Sequence, residues 1–311
     1  MKRHVAFLLL WPMGVLGAHQ VKSLEIRILS TMLTDSTGIG EWGFAAVVTV
    51  DGRPILFDTG ARPDTVLKNA RELKVDVAAI QDVILSHNHS DHTGGLTTLR
   101  REYPKALGRA HVGRGIFLSR LGPNGGEGNS MIATRAAYDA AGGKFVEYEG
   151  FQEIFPGVWL TGPVPRSHAE RNWSGTGQLK DAAGGVAEDN LPEDMSMVIE
   201  TAQGLVLISG CGHAGVVNTI ETVRAKLGTR PMHAVIGGFH LFGASDAHLD
   251  WTAGKLKEFG VGHFIGAHCT GIEATYRIRE RLGLDRRRAV VGAVGAGFKL
   301  GEGILPGAIA R

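Results

Sequence analysis

Apolar positions along the chain keep two different periods. From Leu24 to Leu29, Leu24, Ile26 and Ile28 alternate with Glu25 and Arg27, the period of a half-buried strand. Phe44 to Val50 is a mostly apolar, β-branched run. Asp51-Gly52 then supplies a hairpin turn, and Pro54 to Phe57 a return strand ending in Asp58-Thr59-Gly60. A helix is expected from Pro63, with Val66, Leu67, Ala70 and Leu73 on its apolar face. Val83 to Leu85 is a short buried strand that runs directly into a cluster of histidines, and a helix should follow from Leu96.

Leu121 to Ser130 and the longer polar stretch 161–192 are glycine-rich and read as loops. A long unstructured loop in a compact domain is usually a lid or an insert. Regular pattern resumes with strands over Met195–Thr201 and Leu205–Ser209, followed by Gly210-Cys211-Gly212-His213. The next helix puts Val217, Ile220, Val223 and Leu227 on one face and stops at Gly228. Ala234–Ile236 leads to Gly237-Gly238-Phe239-His240, and Ser245 can cap the helix after it. His263–Ile265 leads to Gly266-Ala267-His268-Cys269. A further helix ends at Gly283, and Ala289–Val294 forms the last expected strand. Strand, glycine, histidine and helix thus recur without a sequence repeat. A hairpin-rich start followed by β-α units favours a mixed α/β sandwich over a purely parallel sheet.

Composition narrows the function classes. At 43% hydrophobic and 21% charged the chain is globular in type, and a formal net charge of +2 gives no bulk electrostatic reason to expect a nucleic-acid partner. The densest basic run, Arg286-Arg287-Arg288, reads as a solvated loop after a helix. Two cysteines cannot make a disulfide framework. Cys211 and Cys269 read as small buried hydrophobes, with a ligand role for Cys211 as the alternative. Residues 1–18 have the plan of a secretory signal: basic Lys2, Arg3 and His4, an apolar stretch from Val5 to Leu16 too short for a bilayer span, and small Ala18 at a cleavage point. The expected organisation is therefore a signal over 1–18 and one domain over 19–311, with an insert at about 161–192. The mature chain would be periplasmic or secreted, or cytoplasmic if the signal is not one.

The chemistry is concentrated in His87-Asn88-His89-Ser90-Asp91-His92. At an extended strand end, residues two apart point the same way, so His87 and His89 can reach one ion together. A turn after Ser90 would bring Asp91 and His92 to a second position beside it. Imidazole and carboxylate form the donor set of zinc, and also of iron or manganese. His111, His233, His248 and His263 lack such a context and read as structural or exposed.

The segment from Ser86 to Gly95 resembles the HxHxDH signature of the metallo-β-lactamase fold, and Leu56-Phe57-Asp58-Thr59-Gly60 resembles the strand that precedes it there. Glu41-Trp42-Gly43-Phe44, Ser209 to Gly215, Gly237 to His240 and His268-Cys269-Thr270-Gly271 resemble a branch labelled dihydropteroate-synthase-like or methanopterin-precursor synthase-like. That label implies a phosphorylated pterin or aminobenzoate substrate. The fold resemblance implies a four-layer αββα sandwich with metals at one edge. Two divalent ions, zinc before iron or manganese, would be held by His87, His89, Asp91, His92, His213 and His268. His268 is preferred over His240 as the late histidine, which leaves His240 on the substrate side. Cys211 occupies the position of a bridging aspartate, with His213 two residues beyond it. Where the family carries a middle histidine, this chain has Glu193 and Asp194. Either Asp194 supplies an oxygen, or His168 reaches in from the insert, or one ion has fewer protein donors. Asp58 is expected to orient a ligand histidine by a hydrogen bond.

The resulting expectation is a hydrolase in which metal-bound hydroxide cleaves an ester, lactone, amide or phosphoester in a small molecule, with Asp91 as its catalytic acid–base group. The alternatives are a metal- or ligand-binding protein without turnover, and a di-iron redox protein of the same fold.

Overall fold

The computed structural model describes residues 19–122, 124–170, 177–180 and 185–310, so the leader expected over 1–18 lies outside the described residues. Strands β1 (Leu24–Ser30), β2 (Ala45–Val50) and β3 (Arg53–Phe57) form an antiparallel meander. Asp51 and Gly52, both at positive φ, make the tight β2–β3 turn, the conformation a two-residue hairpin requires. Helix α1 (Thr65–Glu72) crosses to β4 (Asp82–Leu85). The short α2 (Ser90–Thr93) and α3 (Leu96–Glu102) lead to β5 (Arg109–Gly113), and α4 (Ser130–Ala140) leads to β6 (Lys144–Tyr148). Strands β3 to β6 pair in parallel, as crossover helices dictate.

The second half opens with β7 (Gln152–Phe155) and β8 (Val158–Leu160). Within the stretch expected to be an unstructured insert, β9 (Gln178–Lys180) and β10 (Val186–Glu188) pair as a two-stranded ribbon. Then come β11 (Met197–Thr201), β12 (Gly204–Ser209), α5 (Val216–Leu227), β13 (Met232–Gly237), α6 (Asp246–Glu258), β14 (His263–Gly266), α7 (Ile272–Leu282) and β15 (Ala289–Val291). Two further strands, β16 (Gly297–Lys299) and β17 (Gly303–Leu305), follow the strand expected to be the last. They return to the first sheet, whose order is β17-β16-β1-β2-β3-β4-β5-β6. The second sheet runs β15-β14-β13-β12-β11-β8-β7.

The strand period builds the layers. In β3, Ile55 and Phe57 enter one core and Leu56 the opposite one. In β12, Val206 and Ile208 separate in the same way from Leu205 and Leu207. The inner set, with Ile26, Ile28, Met197, Ile199, Ile236 and Ile265, fills the space between the two sheets. The outer face of the first sheet packs on Val66, Leu67, Leu99 and Tyr138 from α1, α3 and α4. The outer face of the second packs on Ile220, Val223, Leu256 and Ile278 from α5, α6 and α7. Helix, sheet, sheet, helix is the four-layer αββα arrangement. No helix among the described residues is long and apolar enough to cross a membrane.

Candidate metal centre

Strands β3, β4, β12, β13 and β14 end at the same edge of the sandwich, and each end delivers part of one cluster. Beyond β4 the chain bends at His87 and Asn88, passes through an extended His89 (φ −62, ψ 142) and winds into α2, which turns Asp91 and His92 back towards His87. The rings of His87 and His92 have centroids 4.3 Å apart, and those of His87 and His89 4.5 Å apart. From the second sheet, His213 brings its Nε2 to 3.3 Å from His87 Nε2, and its ring lies 5.0 Å from that of His89. His268, after β14, brings Nε2 to 3.2 Å from Asp91 Oδ2, without a hydrogen bond's alignment. All six residues expected as ligands therefore meet at one place. Five of them fall in groups whose donor atoms lie within 4.8 Å of one another, and His89 stands beside these groups.

Cys211 joins the cluster. Its Sγ is 3.1 Å from His92 Nε2 and 3.2 Å from Cys269 Sγ, and it shares a donor group with His87 and His213 and another with His92 and His268. His240 packs against His213 at 4.7 Å between ring centroids and forms a group with both cysteines. His168 goes elsewhere, its Nε2 lying 3.0 Å from Glu221 Oε1. Asp194 accepts the Ala214 N–H on Oδ2 at 3.0 Å and so fixes the turn that carries His213. Its Oδ1 is buried without a hydrogen bond. His111 is a buried structural histidine, lying between Asp82 Oδ1 at 3.0 Å and Tyr148 Oη at 2.8 Å.

Hydrogen bonds with Asp58 and Ser86 aim two of the imidazoles. Asp58, held at φ 57, accepts Ser86 N–H at 2.7 Å and the Ser86 hydroxyl at 2.8 Å, and its Oδ2 lies 2.7 Å from His92 Nδ1. Ser86 Oγ is also 2.9 Å from His87 Nδ1. Both rings have their δ nitrogen engaged, which leaves Nε2 facing the cluster. The packing here tolerates no side chain on Gly210, because a Cβ would lie 2.2 Å from Ser86 Oγ and 2.5 Å from Asp58 Oδ2. Sequence reasoning missed a second support. Glu193 accepts two bonds from Arg120 at 2.9 and 2.8 Å and the Asn88 N–H at 3.3 Å, and Asp189 holds the same guanidinium at 2.6 Å. These partners are tens of residues apart in the chain, and the one available signal was the acidic pair standing where a ligand was expected.

Electrostatics match a cation site. Burial, followed by the neighbouring imidazoles, pushes His87 well below its ordinary pKa. Burial likewise takes His89 down to about 4. Both rings therefore offer lone pairs at neutral pH. Burial raises Asp91, but His92 and His268 outweigh it and hold the carboxyl well below its usual range. His268 moves the other way, to about 9, because Cys269 and Asp91 beside it overcome burial. Both ring nitrogens of His268 are buried without a hydrogen bond, and they stand beside an ionised carboxylate and the other imidazoles of the cluster, a concentration of nitrogen and oxygen donors that suits a cation. The donor set fits a divalent metal.

Comparison with known proteins agrees with this geometry. The sequence model of the metallo-beta-lactamase superfamily matches residues 43–171. A Methanocaldococcus jannaschii protein named 7,8-dihydropterin-6-methyl-4-(beta-D-ribofuranosyl)-aminobenzene-5'-phosphate synthase is 31% identical over 250 residues, covering 77% of this chain and 83% of that one. The chain belongs to the metallo-β-lactamase superfamily. An uncharacterized protein of the same organism, MJ0448, is 29% identical over 258 residues, covering 80% of this chain and 93% of that one. Among solved structures, Tm1679, described as a metal-dependent hydrolase of the beta-lactamase superfamily, aligns at TM-score 0.72 and 28% identity, covering 90% of this chain and 99% of its own. The metallo-beta-lactamase fold protein YhfI from Bacillus subtilis shares the fold at TM-score 0.56 and 12% identity, covering 89% of this chain and 98% of its own. In this metallo-β-lactamase-fold chain the HxHxDH run, the strand that leads into Asp58 and the four-layer order all stand where the superfamily resemblance implies.

Proposed function

We propose that this protein is a metal-dependent hydrolase that cleaves an ester, lactone, amide or phosphoester bond in a small molecule. His87, His89, Asp91, His92, His213 and His268 would hold two divalent ions, zinc before iron or manganese. The observation that carries the reading is the approach of His213 Nε2 to within 3.3 Å of His87 Nε2, which brings donors from both sheets to one point. A divalent ion at such a point polarises a substrate oxygen and lowers the pKa of water towards about 7. The protein's own part is orientation and proton handling. Asp58 and Ser86 fix His92 and His87. Asp91, whose side chain is 19% exposed, is the acid of the cluster that solvent reaches, and its ionised carboxylate can orient the attacking water by accepting a hydrogen bond from it. A cavity of about 330 Å³, lined by Val164, Arg166, Leu191, Asp194 and Ala214, opens at the turn bearing His213. It shares Pro163 and Pro192 with a cavity of about 490 Å³ that reaches Arg114, Phe117 and Arg135. That is the volume range of a small-molecule site.

A second reading is favoured by the relative at 31% identity, whose name is that of a synthase making a pterin-bearing aminobenzene phosphate. One experiment separates the readings. The chain is stripped with a chelator, analysed for metal, reloaded with zinc or iron and given lactone, β-lactam and phosphodiester substrates. In parallel it is given a 7,8-dihydropterin bearing a leaving group on its 6-methyl carbon, together with 4-(β-D-ribofuranosyl)aminobenzene 5'-phosphate. Hydrolysis that vanishes with chelation and returns with metal supports the first reading, and product from the paired substrates alone supports the second. A fully loaded chain inert in every assay would overturn both in favour of a binding protein.

A further inference from the structure

The hydrolytic reading uses imidazoles and a carboxylate and leaves two buried thiols unexplained. Cys211 follows β12, and Cys269 lies in the single helical turn His268–Thr270 after β14. Their sulfurs are 3.2 Å apart with no disulfide between them. The His240 backbone N–H points at Cys269 Sγ from 3.3 Å. A ring nitrogen of His240 and the two sulfurs all lie within 4.8 Å of one another. His240 Nδ1 is buried and makes no hydrogen bond. Simple packing of two small apolar residues would not bring an imidazole lone pair to the same point. Two other features show that the arrangement is imposed. His240 and His268 sit at φ 47 and φ 46, conformations that cost a non-glycine residue energy and persist only where the surroundings fix them. A Cβ on Gly238 would stand 3.0 Å from Cys269 Sγ and 1.9 Å from the Gly210 carbonyl oxygen, so bare backbone closes the cradle around the sulfurs.

We propose that Cys211, Cys269 and His240 form a sulfur-rich cation subsite beside the imidazole–carboxylate cluster, with Cys211 shared between the two, and that it takes a thiophilic ion such as zinc, cadmium or copper(I). Thiolate and imidazole are soft and borderline donors and discriminate against magnesium, calcium and manganese. Each thiol gives up its proton to solvent as the metal–sulfur bond forms, so binding releases protons and needs no oxidant. The subsite does not depend on the hydrolytic reading, since none of its three donors is among the six assigned to the two ions there.

The test uses the full chain, reduced, stripped with chelator and titrated anaerobically with cobalt(II). The parent should develop a near-ultraviolet thiolate-to-metal charge-transfer band. Cys269→Ser should lose about half of that band, because one of two thiolate bonds is gone. Cys211→Ser should lose at least as much, and His87→Ala should keep the band while losing metal from the other cluster. X-ray absorption of the zinc-loaded parent needs no substitution. It should show a sulfur shell at about 2.3 Å with both sulfurs represented. A band unchanged in Cys269→Ser overturns the proposal, as does an absorption spectrum without sulfur neighbours. So does peptide mapping that finds Cys211 and Cys269 joined as a disulfide in the reduced, metal-loaded chain.

Discussion

Asp91 lies in a short helix at the sheet edge and not within any of the three apolar cores, so its charge can be removed without opening a cavity. The carboxylate has two tasks that an amide cannot perform: it lends negative charge to the cluster, and it offers two acceptor oxygens, one to an ion and one to the attacking water. Asp91→Asn should therefore cut metal-dependent turnover by at least about 10²-fold, the lower end of what acid–base groups contribute. Thermal unfolding of the metal-free parent and variant should remain similar, and a folded, metal-loaded variant with parental turnover would remove Asp91 from the mechanism. At this scale the site was partly readable. His87, His89, Asp91 and His92 are neighbours in the chain, so local pattern exposed them, and His213 and His268 were marked by the strand-glycine-histidine rhythm. Arg120 and Asp189 carried no such mark, and Glu193 was marked only as standing with Asp194 where a ligand was expected. Each is an ordinary charged residue until folding buries it against a partner 69 or 73 positions away.

Elements with a strong period of their own were legible, and those that borrow structure from a neighbour were not. Helix α5 announces itself through Val217, Ile220 and Val223, and β1 through its alternation. Strands β16 and β17 are three residues each and contain Gly297 and Gly303. They are strands because β1 offers its free edge to Phe298 and Lys299. Two carboxylates that bind such elements together should bend the pH–stability curve in opposite senses. Glu170 caps the start of α5, accepting Val217 N–H at 3.3 Å and Asn218 N–H at 2.8 Å. Burial nevertheless outweighs these bonds and raises its pKa from 4.5 to about 7. Between those values the folded chain holds more protons than the unfolded one, so stability falls as pH rises through the window. Glu170→Gln should flatten that slope. Asp82 at the β4–β5 pairing differs, because burial there is overcome by His111 and by the bidentate Arg109, which hold it below 3.8. Its contribution is present above about pH 4 and is lost on acidification below it. Asp82→Asn should cost about 2 kcal/mol at neutral pH, the scale of hydrogen bonds to a charged group, and nothing once the parent's carboxyl is protonated. Urea titrations across the pH range read both effects, and parallel curves for parent and variants would refute the assignment.

For the whole molecule, the cation site is where the two halves meet, and that has a thermodynamic consequence. We propose export of the mature chain from the Lys2-Arg3 start and the apolar run to Leu16, which intact-mass measurement on material from the native host checks: a new N-terminus near His19 is expected, and an intact Met1 refutes it. The stronger prediction concerns metal and stability. His87, Asp91 and His92 hang from the first sheet, while Cys211, His213 and His268 hang from the second. In the unfolded chain the HxHxDH run and the two later histidines are separated by more than a hundred residues, so a shared ion binds the native arrangement and has little to bind otherwise. An ion that binds only the folded state stabilises it by RT ln(1 + [L]/Kd), about 4 kcal/mol when free metal stands at roughly a thousand times Kd. For a chain of this size that corresponds to a rise in Tm of roughly 6 °C. Melting curves of the chelator-stripped chain should therefore shift upward with each increment of added zinc, by a constant step per tenfold increase in concentration once the site is saturated. His213→Ala should remove the part of that dependence that comes from the ion shared with His87 and leave the part due to the His92–Cys211–His268 group, while the stripped variant should unfold near the stripped parent. If zinc leaves the parent's Tm unmoved, the two sheets are not joined through a shared ion and the assignment of His87 and His213 to one centre fails.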